Sequence, residues 1–287
     1  MHVIRKLKPT EVNGIKEART LNLYLDGREH ELLMGFQNAV KNYCTSVVFL
    51  FDGRSGMGKT TKLIQAGITL DNNFGLHKIH TIPKTFLEGD EKAGKVGLAN
   101  AVEGDFIAFD EAMIISNRSA MSQVNKMIIQ AMAMIRSKRI YVGFCVNSIF
   151  DLDKNLVLHR ADVLYHLYGS NLIDRGRFAC FFRGKDGIDR IKSLYLYGKK
   201  YYDYSKPHSN FVGRFTKEFV IDEKLYEIEK QKGINAFLRG AGKKTFERDI
   251  FIAKLKEKGL SNIEIGEIIG LDRSQVWRIL STGQEKG

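Results

Sequence analysis

Residues Gly53-Arg54-Ser55-Gly56-Met57-Gly58-Lys59-Thr60 follow directly on the apolar run Ser46–Phe51 (SVVFLF) and precede a helix-like segment, Thr61–Ala66. A continuous apolar run of this length is the mark of a strand buried on both faces. Glycines at these spacings let the chain turn tightly with its N–H groups facing inward, where they cradle phosphate oxygens. Lys59 then reaches the β- and γ-phosphates, and Thr60 offers a hydroxyl to Mg²⁺ at the first turn of the helix. Strand, loop and helix in this order separate the motif from an ordinary glycine-rich turn. They assign Gly53 to Thr61 to nucleotide binding, with ATP and Mg²⁺ as the implied ligands.

Four apolar residues and two acids, Phe106-Ile107-Ala108-Phe109-Asp110-Glu111, form the second half of such a site. Asp110 at the end of a buried strand would hold Mg²⁺ through its water shell. Glu111 would orient and polarise the attacking water. An acidic helix start is the other reading of the same pair. Asn147 closes a further strand candidate, Ile140–Val146, where strand ends line a ligand crevice. It either bridges the γ-phosphate and the water or caps the next turn.

Other strand candidates are Lys78–Ile82 and Val163–Tyr168, with a helix predicted over Ser119–Ile135. Strands alternating with helices predict an α/β fold built on a parallel sheet. Leu21–Leu25, Asp26-Gly27 and Arg28–Met34 read as a hairpin before it, with a short helix over Phe36–Tyr43. Arg177–Arg183 and Ile191–Tyr197 read as an antiparallel extension, followed by a helix near Asp222–Lys232.

With a strand and helix between the two motifs, the stretch from Ser46 to Tyr168 resembles the additional-strand, catalytic-glutamate P-loop ATPases. Within them it is similar to the FtsK/HerA-type group, which includes DNA pumps, viral packaging ATPases and Zot-like ATPases. The resemblance rests on Gly53–Thr60, Asp110-Glu111 and the run Arg136–Tyr168. It implies a RecA-like domain and a ring, usually a hexamer, with an arginine reaching a neighbour's γ-phosphate. Arg118, Arg136, Arg139 and Arg160 fall where the resemblance places such an arginine, and Arg160 is the first candidate; each also reads as a surface or capping residue. Many of these pumps carry Gln where this chain has Asn147.

From Asp174 to Lys217 eleven Lys/Arg stand against four Asp/Glu, interleaved with Tyr195, Tyr197, Tyr201, Tyr202 and Tyr204. Lysines neutralise phosphates and aromatic faces stack on bases, so the stretch suits a nucleic-acid track, or else a guarded sheet edge. After a glycine- and lysine-rich linker over 233–245, residues 246–287 read as three helices: Phe246–Lys258, Asn262–Ile269 and Arg273–Leu280. Ile263, Ile265, Ile268, Leu271, Val276 and Ile279 supply the expected core of this unit. The last two helices, joined at Gly270-Leu271-Asp272, resemble the helix-turn-helix of resolvases and sigma-like factors. That leaves Arg273, Ser274, Gln275, Trp277 and Arg278 to face DNA. A small bundle for protein contact is the alternative.

The 287 residues therefore divide into an ATPase domain at 1–232, the linker and a small all-α unit. A net charge of +12 favours a polyanionic partner. No apolar run reaches the length of a membrane span, no secretory signal is visible, and Cys44, Cys145 and Cys180 are scattered, which predicts a reducing, cytoplasmic setting. The expectation is an ATP-hydrolysing DNA motor for translocation or genome packaging. The other readings are an ATP-switched regulator or loader on DNA, and a Zot-like virion assembly or extrusion ATPase.

Overall fold

The computed structural model describes residues 2–6, 11–12, 15–16, 22–110, 135, 137–152, 154–169, 175–233, 235, 251–252, 255–256 and 259–284. The chain divides into two compact units, Met1–Lys230 and Gln231–Gly287. The predicted helix over Ser119–Ile135 and most of the linker lie outside the described residues.

The larger unit is mixed α/β. Short strands β1 (His2–Lys6), β2 (Glu11–Val12), β3 (Ile15–Lys16) and β4 (Asn22–Asp26) precede helix α1 (Gly27–Tyr43). Next come β5 (Val47–Asp52), α2 (Lys59–Leu70), β6 (Ile79–His80), α3 (Pro83–Glu88), β7 (Phe106–Asp110) and β8 (Tyr141–Cys145). They are followed by α4 (Lys154–His159), β9 (Val163–Tyr168), β10 (Arg177–Phe182), α5 (Arg190–Gly198) and β11 (Phe211–Arg214). A further helical segment covers 223–233.

The seven-stranded sheet runs β11-β10-β9-β5-β8-β7-β6. Its β9-β5-β8-β7-β6 part is parallel, and β10 and β11 extend it antiparallel. β5, β7 and β8 are buried at every residue, which is why their sequences show no polar alternation. One strand, β8, stands between β5 and β7, so the chain ends of all three open on the same edge. α2 packs over β5, β7 and β8, and α1 packs on α2.

Two expected strands are helices. Asp26-Gly27 does not turn a hairpin: the Asp26 carboxylate accepts from the Arg28 N–H at 3.0 Å and caps α1, and β4 pairs instead with β1. The buried Glu29, Leu33 and Val40 follow helical spacing, which overrides the local turn signal. Ile191–Tyr197 lies within α5, where Asp189 accepts from the Lys192 N–H at 2.9 Å and Ile191, Leu194, Tyr195 and Gly198 share one buried face. β11, which the sequence reading did not foresee, takes the place beside β10 expected of Ile191–Tyr197, in register Arg177 with Arg214. Of Lys78–Ile82 only Ile79–His80 is strand, preceded by a 3-10 turn at Leu76–Lys78.

In the smaller unit, α6 (Asn262–Ile269) and α7 (Arg273–Gln284) pack together. Ser261 and Glu264 form a reciprocal capping box at the start of α6, and Gly270 ends it in a left-handed conformation. Ile252, Ile265 and Val276 make the core, flanked by Leu271 and Ile279. Ile263 and Ile268, expected inside, are instead 53% and 57% exposed.

Helices α1 and α2 are joined by a buried charge pair. Lys62 on α2 meets Glu29 on α1 at 2.5 Å with both side chains fully buried. The ammonium sits 4.5 Å from the centre of the Phe178 ring, with Phe215 and Tyr165 also beneath it. Burial pushes the Glu29 carboxyl above the usual range, while Lys62 pulls it back. Replacing Lys62 with Met strands a buried carboxylate, and urea denaturation is expected to show a loss of about 3–5 kcal/mol. The double variant Glu29→Gln/Lys62→Met is expected to regain most of that stability.

Candidate functional site

β5 delivers the chain to a loop that its neighbours hold from both sides. Gly53 donates its N–H to the Asn147 carbonyl at 3.2 Å, and it has φ 137°. A Cβ at Gly53 would lie 2.2 Å from the Leu167 carbonyl oxygen, so no other residue fits between β8 and β9 here. Gly56 and Gly58 also take positive φ, 80° and 93°, which turns the loop back onto the start of α2. Met57 is buried and joins the main core, pinning the middle of the loop while Arg54 and Ser55 stay exposed.

Lys59 and Thr60 occupy the first turn of α2. The Lys59 ammonium donates to the Gly53 carbonyl at 2.7 Å, to Asn147 Oδ1 at 3.2 Å and to the Arg54 carbonyl at 3.4 Å. Its three donors are thus held over the loop by neutral oxygens, which an incoming anion can replace. Thr60 Oγ1 donates to Asp110 Oδ2 at 3.0 Å. Asp110 closes β7 and is 3% exposed.

A cleft of about 420 Å³ opens over this array, lined by Ser55, Gly56, Gly58 to Thr61, Asp110, Asn147, Arg175 and Lys230. The structure therefore brings Lys59, Thr60, Thr61, Asp110 and Asn147 together. Glu111, Arg118 and Arg136 lie outside the described residues. Arg160 is exposed after α4 and does not line the cleft. Arg139 pairs with Glu103 at 3.2 Å beside the amino end of β8, on the far edge of the sheet from the cleft.

Three cleft features were not legible from the motifs. Arg175 donates to the Gly56 carbonyl at 3.0 Å and stands at the cleft wall. Lys230 lines the same wall. Tyr226, in the 223–233 helical segment, donates its hydroxyl to Asp110 Oδ2. Burial and the Asp110 charge push the Tyr226 phenol far above its ordinary range, so it stays a neutral donor. These residues lie more than a hundred positions from the loop, and no spacing rule ties them to it.

The hydroxyl of Thr60 and the carboxylate of Asp110 are hard oxygen donors at hydrogen-bond distance from one another, a set that fits Mg²⁺. Among the described residues no group of three His, Cys, Asp or Glu side chains could hold a metal.

Two solved structures show a weak similarity to the chain. The N-terminal domain of zonular occludens toxin from Neisseria meningitidis is 15% identical, covering 64% of this chain and 98% of that one, with a TM-score of 0.30. NtrX from Brucella abortus in complex with ATP is 15% identical, covering 90% of this chain and 68% of that one, with a TM-score of 0.28. No protein-family model and no curated protein matches the sequence.

In the smaller unit Arg273, Ser274, Gln275, Trp277 and Arg278 are all exposed around the buried Val276. Gln275 Oε1 accepts from the Asp272 N–H at 3.1 Å, so its carbonyl is committed to capping α7. Of the tyrosines in the basic stretch, Tyr195 is buried and Tyr204 half-buried, whereas Tyr197, Tyr201 and Tyr202 are exposed. No helix among the described residues is long and apolar enough to cross a membrane.

The Gly53 carbonyl contact gives a sharp test. Gly53→Ala is expected to lower stability by about 1–3 kcal/mol in thermal unfolding, as overpacking against fixed backbone does. Calorimetric titration with a non-hydrolysable triphosphate should show binding lost with it, because the N–H groups of the loop lose their common focus.

Proposed function

We propose that the chain is an ATP-hydrolysing motor acting on DNA, in translocation or genome packaging for a virus or mobile element. The observation that supports it best is the convergence of Lys59, Asn147, Thr60 and Asp110 at the carboxyl ends of three adjacent strands and the amino end of α2. Backbone N–H groups and the helix dipole favour an anion at that point. The order β9-β5-β8-β7-β6, with one strand between the loop strand and the Asp110 strand, agrees with the additional-strand P-loop ATPases.

In this reading the loop amides and Lys59 hold the β- and γ-phosphates, Lys59 trading its carbonyl partners for phosphate oxygens. Mg²⁺, when bound by Thr60 and through Asp110, supplies neutralisation of charge between the phosphates. Glu111 orients a water in line with the γ-phosphorus and takes its proton. The new P–O bond forms as the bond to the bridging oxygen breaks, and ADP and phosphate leave. Asn147, already on Lys59, is placed to report whether the γ-phosphate is present. Arg160 is proposed to reach a neighbouring subunit's nucleotide in a ring, and Arg175 to contact phosphate within the same subunit.

The DNA part rests on charge and exposure. The chain carries +12 net, and α7 presents Arg273, Ser274, Trp277 and Arg278 outward from a unit that packs as two helices around a tight turn. We read α7 as the recognition helix of a helix-turn-helix, docking the motor on duplex DNA.

Glu111→Gln is expected to retain ATP while steady-state turnover falls by about 10²–10⁴-fold. Retained turnover would remove Glu111 from the chemistry. Arg273→Ala and Arg278→Ala should each weaken duplex binding in anisotropy titrations. Where the lost contact is to phosphate, the log–log salt slope should shrink by about 1. Unchanged duplex affinity in both would assign α7 to another partner.

A further inference from the structure

The 420 Å³ cleft is lined by Ser55, Lys59, Thr60, Thr61, Asp110 and Asn147. A second cavity of about 620 Å³ lies against the same loop. It shares Ser55 and Asn147 with the cleft and is lined by none of Lys59, Thr60, Thr61 and Asp110. Its volume is that of a small-molecule pocket.

The lining is aromatic: His166, Tyr168, Tyr202 and Tyr204. Tyr204 stacks on His166 with centroids 3.6 Å apart and planes 16° from parallel. Both are fixed from below by one fully buried carboxylate. Asp52 accepts from His166 Nδ1 at 2.8 Å, from the Tyr204 hydroxyl at 2.6 Å and from the Ile149 N–H at 3.0 Å. Tyr202, by contrast, is 55% exposed and holds φ 53°, a left-handed conformation uncommon for a bulky residue. Its hydroxyl is tied to Asp151 at 2.6 Å, which keeps the ring standing at the cavity. Strain of this kind, over-determined by its surroundings, gathers at ligand clamps. Lys199 and Lys200 are exposed and precede Tyr202 by three and two residues, the Lys199 ammonium resting on Tyr195 and the Lys200 ammonium over Tyr201.

We propose that this cavity takes one unpaired base of a nucleic-acid strand, stacked on Tyr202 over the Tyr204–His166 floor, with the strand's phosphates at Lys199 and Lys200. A flat aromatic host with flanking cations suits a base joined to phosphate, and a paired base could not offer its face. The floor is wired to the loop. Asp52 is the residue before Gly53, whose carbonyl holds Lys59 and whose N–H holds Asn147. A base pressing on Tyr204 therefore shifts the group that carries the loop's lysine, which couples strand occupancy to turnover.

The inference rests on the nucleic-acid reading of the chain, and its test separates the two. The full chain is titrated with an oligothymidylate and with an abasic oligonucleotide of the same length and charge, as wild type, Tyr202→Ala, Tyr202→Phe and Trp277→Ala. Stacking of one base predicts that wild type prefers the oligothymidylate by about 5- to 150-fold. Tyr202→Ala should erase that margin, and with it any stimulation of ATP turnover by the oligothymidylate, while abasic binding and basal turnover stay as in wild type. Tyr202→Phe and Trp277→Ala should keep the margin. Binding that ignores the base, or a margin that survives Tyr202→Ala, overturns the base pocket alone. Failure to hold either oligonucleotide while a duplex is bound overturns the base pocket, and failure to hold oligonucleotide and duplex alike overturns the nucleic-acid reading itself. Unchanged thermal unfolding of Tyr202→Ala shows that a lost margin is not a lost fold.

Discussion

The end of β5 is the point on which the rest of the molecule turns. In two consecutive residues the chain buries a carboxylate, Asp52, and then passes a glycine through a gap that admits no side chain. Asp52 draws together β9 through His166, the segment after β8 through the Ile149 N–H, and the segment after α5 through Tyr204. Gly53 then fixes Lys59 and Asn147 relative to one another. A carboxylate without solvent must have its oxygens satisfied, and here three donors from three parts of the chain do so. The loop is accordingly rigid where it leaves the sheet and exposed only at Arg54 to Gly56, where a ligand would approach.

Behind the loop, α2 is buried along nearly its whole length, polar residues included. Gln65 donates to the carbonyls of Thr216 and Glu218, and Lys62 fills an aromatic box against Glu29. These contacts tie the helix to the segment leading into the 223–233 helix, which supplies Tyr226 to Asp110. The segment leading into β10 and the helix after β11 are part of the cleft's wall, through Arg175 and Lys230. A change in the extension has a mechanical route to the residues that line the cleft.

Local chemistry was legible in the sequence, and long-range chemistry was not. The loop, β5, β7, β8 and β9 could be read because buried parallel strands and glycine spacing leave signals within a few residues. The structure brings Lys59, Thr60, Asp110 and Asn147, each read from its own segment, to one cleft. Asp26-Gly27 misled because the same dipeptide begins a helix or turns a hairpin, and only Leu33 and Val40 farther on decide it. Ile191–Tyr197 misled because its residues alternate and also repeat at three and four, and burial chose the helix. The tyrosines looked like one continuous track; the structure sends Tyr195 inward and pins Tyr204 on Asp52, leaving others outside. Arg175, Lys230 and Tyr226 had no sequence signal, since their meaning comes from the fold of the extension.

The account's central claim is that triphosphate cleavage at the β5 loop is coupled to a nucleic-acid strand. Steady-state ATP turnover of the full chain, measured with and without single-stranded and duplex DNA beside a Lys59→Ala control, addresses it most directly. The account predicts turnover that depends on Lys59 and rises when DNA is added. Turnover that persists in Lys59→Ala, or that is indifferent to both forms of DNA, would contradict it.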